Sequence, residues 1–302
     1  MKTKFRKQKL LFIGLIIVDL ILLIIVFGQI LHWSPNFQLF NPAGPVAAGQ
    51  KRLIIEAVSI MLIAVIPILG AAFFVMFKYR EGKQQKYDPE WNARNSKWQI
   101  GGWIFLTIII ICLAVVGYNG AQNLDPYKAI ASANPPLTIQ VVALQWKWLF
   151  IYPQQNIATV NFIEFPVNTP VHFELTADGP MSAFWIPQLG SQIYAMAAMQ
   201  TQLNLMASKA GEYNGLDTEI NGDGYAGMKF IAKAGSQQDF NNWVESVKKT
   251  GNPLDQNTYN LLAMPSQNNS TVFYSPVDEN LYNNVMMNYM MPASQMPRMD
   301  MK

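Results

Sequence analysis

Three long apolar runs occupy the first third of the chain. They are Leu10–Leu31, interrupted only by Asp19; Leu53–Phe77, with Glu56 near its start and Pro67 inside; and Ile100–Gly117. A helix needs about 20 residues to cross a hydrocarbon core of roughly 30 Å, and each run is of that order. The charges between them give a direction. Residues 1–9 carry Lys2, Lys4, Arg6, Lys7 and Lys9, and the segment between the second and third runs carries Lys78, Arg80, Lys83, Lys86, Arg94 and Lys97. Residues 32–52 hold only Lys51 and Arg52. Basic loops stay on the cytoplasmic side. The path is therefore in-out-in-out, and everything after Tyr118 is exported. The first run also reads as a signal peptide, although it is longer than the usual core of about 7–15 residues and no A-x-A site follows it. A retained helix is the expectation, and Asp19 then needs a partner on a neighbouring helix.

Beyond the polar linker ending in Pro135-Pro136 the period shortens. Leu137–Tyr152, Val160–Phe165, Val171–Leu175, Gln192–Met206 and Met228–Ala234 are rich in β-branched and aromatic residues. Asn168-Thr169-Pro170, Asp178-Gly179-Pro180 and Asn221-Gly222-Asp223-Gly224 separate them as turns. This spacing predicts an antiparallel sandwich of about 100 residues. From Ser236, an N-cap, the pattern is helical. Phe240, Trp243, Val244 and Val247 fall at i, i+3, i+4 and i+7. Leu254–Met264 and Asp278–Met291 read as two more short helices, and the last residues as a disordered Met- and Pro-rich tail.

The fold class is therefore a membrane-anchored α+β chain. It has two or three transmembrane helices, an exported β-sandwich and a short C-terminal helical region. The domains expected are 1–34, the N-terminal hydrophobic segment; 50–120, a helical hairpin; 135–235, the sandwich; and 236–302, the helical region with its tail. Composition narrows the chemistry. Only 14% of residues are charged and the net charge is +3, with the basic residues beside the membrane runs, so nothing points to nucleic acid. One cysteine, Cys112, excludes an internal disulfide. Two histidines, His32 and His172, leave little for a metal or haem site.

Specific strings carry a family likeness. Gln145-Trp146-Lys147-Trp148 opens the aromatic run WKWLFIYP; FWIPQLGSQIYAMAAMQTQLNL spans Phe184–Leu205; YNG begins at Tyr213; and GMKF ends at Phe230. From Leu53 to Val247 the chain resembles subunit II of the haem-copper oxidases in its quinol-oxidase branch. The resemblance implies a cupredoxin-like sandwich on the outer, periplasmic side of a bacterial cytoplasmic membrane. It further implies partnership with a haem-bearing subunit I and with subunits III and IV, and a complex that couples ubiquinol oxidation by dioxygen to proton translocation. Haems and copper are then expected in subunit I.

In the cytochrome c branch the sandwich holds a dinuclear copper centre on a His, a Cys-x-x-x-Cys pair, a second His and a Met. Carried over position by position, Ser182 stands at the first His, Asp217 and Asn221 at the two cysteines, and Tyr225 at the second His, while Met228 is retained. A soft copper centre needs thiolate and imidazole. One cysteine cannot supply two, so no metal, cofactor or catalytic residue is expected in this chain. A mononuclear His2Cys site fails on placement, because Cys112 lies in a membrane run. Glu219 matches an acid that helps bind magnesium in the cytochrome c branch, but its partner residues have changed, so a hydrogen-bonded or solvated acid is expected.

Trp146, Trp148 and Trp185 are taken as subunit-packing candidates rather than electron carriers. Glu56 is expected to pair with Arg52. Gln99 stands near the place of a family Glu at a proton-channel entry and cannot titrate. No cysteine ends the first run for lipidation; Gly28-Gln29 is the nearest counterpart. Seven methionines between Met286 and Met301 form a cluster of the kind that can bind Cu(I), and a flexible tail or an apolar helix face accounts for it as well. Two alternatives stay open: an electron-transfer subunit of a cytochrome c oxidase, and a stand-alone membrane-tethered binding module.

Overall fold

The computed structural model describes residues 40–78 and 91–290, with side chains in the second stretch from Gln99 onward. The first apolar run, Asp19, His32 and the tail from residue 291 lie outside the described residues. Two compact units emerge. One contains Lys51–Asn123; the other contains Pro42–Gln50 and the chain from Leu124.

The helical unit holds most of α1 (Pro45–Lys78) and all of α2 (Trp91–Asn123). Both are long and apolar enough to cross a membrane. Their apolar side chains, such as Ile63, Met76, Trp103 and Ile110, are exposed. A helix apolar all round whose apolar side chains are mostly exposed among the described residues suits lipid as its solvent. Arg52 and Glu56 form the expected i,i+4 pair at 2.7 Å. Cys112 is exposed on α2.

The second unit is a sandwich. Its strands are β1 (Leu137–Leu144), β2 (Lys147–Tyr152), β3 (Ile157–Val160), β4 (Phe162–Pro166), β5 (Val171–Ala177), β6 (Ser182–Trp185), β7 (Ile193–Ala195), β8 (Thr201–Leu205), β9 (Gly211–Asp217), β10 (Lys229–Gly235), β11 (Asn252–Leu254) and β12 (Val272–Val277). One sheet runs β11-β12-β3-β2-β1-β5-β8 and the other β4-β10-β9-β6-β7. The pairing is not wholly antiparallel as expected. β1 runs parallel to β5, β4 to β10 and β11 to β12.

Two expected strands are each broken by a residue in the left-handed region. Leu137–Tyr152 is a hairpin turning at Trp146 (φ 67), and Val160–Phe165 breaks at Asn161 (φ 56). Asn161 holds its turn by accepting from Trp148 N at 2.9 Å and donating to Asn269 O at 3.0 Å. Asn tolerates this conformation through such local bonds. The expected Gln192–Met206 strand is two strands, β7 and β8, separated by Met196–Gln200.

Every residue of β2 is buried. The cause is that its sheet is covered on both faces. Trp148, Phe150 and Tyr152 point toward the second sheet, where Phe184 and Phe230 stack at 4.9 Å. Leu149 and Ile151 point the other way, onto Leu254, Tyr259, Tyr274, Leu281, Tyr282 and Val285. The chain after residue 250 thus supplies strands β11 and β12 to the edge of the sheet and helices α4 (Gln256–Ala263) and α5 (Leu281–Asn288) to its outer face. The helix between, α3 (Gln237–Thr250), carries a full capping box. Ser236 Oγ accepts from Asp239 N at 3.1 Å, and Ser236 N donates to Asp239 Oδ2 at 3.1 Å.

Pro42–Gln50 is built into the same unit. Ala43 N donates to Gln188 O, Ser208 N to Ala43 O, and Ala47 N to Leu189 O. Gly190 (φ +153) faces Val46, where a Cβ would sit 2.7 Å from the valine side chain.

Candidate functional site

β6 and β9 lie side by side, pairing Phe184 with Asp217 and Trp185 with Leu216. This adjacency brings Ser182, at the start of β6, to the end of β9. Asp217 N donates to Met228 O at 3.0 Å and closes the loop 218–227 beneath it. Within the loop, the turn Asn221–Gly224 leads into a 3-10 helix, Tyr225–Gly227.

Three side chains meet there. Asn221 Nδ2 donates to Ser182 Oγ at 2.8 Å and to Asp217 Oδ2 at 2.8 Å. Asp217 Oδ1 accepts from Ala183 N at 2.7 Å and from Glu219 N at 3.0 Å. The Ser182 hydroxyl also bonds the carboxylate. Ser182 and Asp217 are buried, 1% and 5% exposed. Burial pushes the Asp217 carboxyl above its usual range, and the bonds from Glu219, Ala183, Ser182 and Asn221 pull it back part of the way. The structure therefore brings together Ser182, Asp217 and Asn221. Glu219 joins only through its backbone. Met228 sits fully buried in the core and Tyr225 is half-buried on the 3-10 helix.

This donor set does not suit copper. It offers a hydroxyl, an amide and a carboxylate whose oxygens already accept from four groups of the chain. Soft copper centres need thiolate and imidazole. Among the described residues, no three of His, Cys, Asp and Glu are grouped to hold a metal.

The tryptophans separate. Trp146 lies over the loop: a Cβ on Gly224 would meet its indole at 2.4 Å, so only glycine allows this approach. Trp185 is half-buried and donates from Nε1 to Gly190 O at 2.9 Å. Trp148, expected at a subunit interface, is instead 0% exposed, edge-on to Phe184 at 5.3 Å and Phe230 at 6.0 Å. The alternation of β2 turns it inward, so it has no surface to offer a partner.

A family model described as the COX Aromatic Rich Motif matches residues 248–293, and Leu254, Tyr259, Tyr274, Leu281, Tyr282 and Val285 of that segment cover the outer face of the larger sheet. The cytochrome bo(3) ubiquinol oxidase subunit 2 of Pseudomonas putida is 46% identical over 249 residues, covering 82% of this chain and 79% of that protein. The ubiquinol oxidase subunit 2 of Acetobacter aceti is 44% identical over 257 residues, 84% of this chain and 83% of its own. This chain belongs to the ubiquinol oxidase subunit 2 family. A crystal structure of the periplasmic domain of subunit II of cytochrome oxidase from Bradyrhizobium japonicum aligns with a TM-score of 0.38 and 24% identity, over 40% of this chain and 98% of that one. As a ubiquinol oxidase subunit 2, the chain is a membrane-anchored part of an oxidoreductase complex.

Sequence reasoning missed two polar anchors of this subunit. Asp178, read only as part of a turn, accepts the hydroxyls of Tyr259 and of Tyr289, the latter at 2.6 Å. Burial and this carboxylate push the Tyr289 phenol up to about 12 and that of Tyr259 higher still. Lys147, in the middle of an aromatic string, is 2% exposed and donates to Met264 O at 2.8 Å and to Ser266 Oγ. Burial lowers its ammonium pKa. No local sequence signal marks either partnership, because the partners lie about a hundred residues downstream.

His172 lies on β5, where its Nδ1 meets Asn204 Oδ1 at 2.9 Å. Cys112 lies on α2, in the other unit.

Proposed function

We propose that this subunit carries no redox centre of its own. It anchors and caps the haem-bearing subunit of a proton-translocating quinol oxidase, alongside subunits III and IV, in the bacterial cytoplasmic membrane with its sandwich on the periplasmic side. Haems and copper then belong to subunit I, and electrons enter the complex from a lipid-soluble quinol without crossing this sandwich.

One observation supports this reading above the others. At the position that carries a copper thiolate in the cytochrome c branch, Asp217 spends its carboxylate oxygens on Ala183 N, Glu219 N, Asn221 Nδ2 and the Ser182 hydroxyl. The loop that would have been organised by metal is organised by hydrogen bonds. A hydrogen-bonded carboxylate of this kind holds backbone in place and has no electron to pass.

The test is functional purification. The tagged chain, extracted in mild detergent, should bring haem with it, and the preparation should consume oxygen with ubiquinol. Added reduced cytochrome c should not be oxidised. Oxidation of cytochrome c at a rate comparable to that of quinol would defeat the proposal.

A further inference from the structure

α5 has an inward face and an outward one. Leu281, Tyr282 and Val285 are 0–2% exposed and complete the outer core. Met286 is half-buried, while Met287 and Met290 are 56% and 47% exposed. Core packing therefore accounts for the first set and not for the second. Met286 and Met287 stand on the last turn of α5, and Met290 lies two residues beyond its end at Asn288. Met290 N donates to Met287 O at 3.0 Å, so the chain closes a tight turn there. In such a turn, residues i and i+3 lie over one another.

Tyr289, which precedes Met290, is fixed. Tyr289 Oη donates to Asp178 Oδ1 at 2.6 Å, which ties the end of α5 to the end of β5. Three thioethers thus stand on held backbone, each on a side chain long and flexible enough to converge. Thioether sulfur is a soft, uncharged donor, suited to Cu(I) and poorly suited to hard cations. Four more methionines, Met291, Met296, Met299 and Met301, follow in the sequence.

We infer that Met286, Met287 and Met290 form a binding site for one Cu(I) ion on the outer surface of the sandwich, separate from the Ser182–Asp217–Asn221 cluster. Because thioethers do not take up protons in the working range, binding at this site is independent of pH. A histidine, cysteine or carboxylate site would release protons on binding and weaken in acid.

The experiment uses the purified, detergent-solubilised oxidase complex under anaerobic, reducing conditions, with Cu(I) titrated in competition with bicinchoninate. The wild-type complex should withdraw one more equivalent of Cu(I) than the variant Met286→Leu/Met287→Leu/Met290→Leu, whose competition should be weaker by about tenfold or more, 1.4 kcal/mol. Leucine keeps the volume of methionine, and equal haem content checks assembly. The pair Met287→Leu/Met290→Leu alters only exposed side chains and should weaken binding in the same direction. Replacing Met291, Met296, Met299 and Met301 with leucine should leave the competition intact. Affinity should be unchanged from about pH 7.5 to about pH 5.5, across the histidine range. The site is disproved if both helix-end variants compete like wild type, if the tail variant alone abolishes binding, or if affinity falls in acid.

Discussion

Two carboxylates of the sandwich do opposite jobs. Asp217 collects donors from its immediate surroundings: two backbone N–H groups, one amide and one hydroxyl, all from β6 and the loop that follows β9. Asp178 collects two phenols that lie 81 and 111 positions downstream. The first holds a short loop in place through local bonds. The second holds the aromatic-rich C-terminal segment against the outer face of the larger sheet. The contrast separates two kinds of closure in this fold: a local polar cluster organises a loop, while long-range closure rests on separate groups.

Asp217→Ala should have the largest effect. It leaves Ala183 N buried and Glu219 N part-buried without an acceptor, and an orphaned buried group costs about 1–3 kcal/mol. A loss of about 2–4 kcal/mol is expected in urea unfolding of the purified subunit followed by tryptophan emission. A loss below about 1 kcal/mol would show that the loop does not depend on this residue. Tyr259→Phe comes next. It removes a buried hydroxyl from a carboxylate and should cost about 1.5–3 kcal/mol, with faster proteolysis beyond residue 250 as the local readout. Tyr289→Phe, at a 41% exposed residue, should cost less than about 1 kcal/mol. If it costs as much as Tyr259→Phe, the two phenols close the segment equally.

Asp217→Asn is the finest probe. Its amide oxygen can still accept from both backbone groups, and Asn221 can turn so that its own Oδ1 accepts; that oxygen is buried and accepts no bond among the described residues. The change in stability at neutral pH should stay within about 1 kcal/mol. The pH profile should change instead. The folded Asp217 carboxyl lies above its usual value, so the folded state binds more protons than the unfolded one in that window. Its contribution is fully present below the unfolded value of 3.8 and is lost as pH rises through the folded one. The variant should lack this slope, and a wild-type slope retained in Asp217→Asn would assign it to another group.

The sequence reading reached far for features written locally. Apolar runs announced α1 and α2, Ser236 and Asp239 announced the cap of α3, and the positions of Ser182, Asp217 and Asn221 were in hand before their contacts. Features that depend on distant partners stayed hidden. Trp146 turns the β1–β2 hairpin without glycine, proline or asparagine at that residue, its left-handed backbone held by packing over the Gly222–Gly224 loop. β9, with two glycines and a half-exposed face, lacks a strand pattern. β11 and β12 each contain a proline, which sequence reading counts against a strand; β11 is the edge strand of the larger sheet, and β12 lies next to it, between β11 and β3. The parallel pairing of β1 with β5 is a tertiary choice that no residue of either strand encodes. Trp148 was misplaced for a related reason. An aromatic string reads the same whether one face is buried or both.

The central claim is that electrons never enter this sandwich. Electron paramagnetic resonance of the fully oxidised, purified complex, with the near-infrared spectrum alongside, tests it most directly, because Cu(I) held by thioethers is silent there. Signals from the haems and from subunit I alone are predicted. A delocalised dinuclear copper signal that disappears in Asp217→Ala would contradict the account.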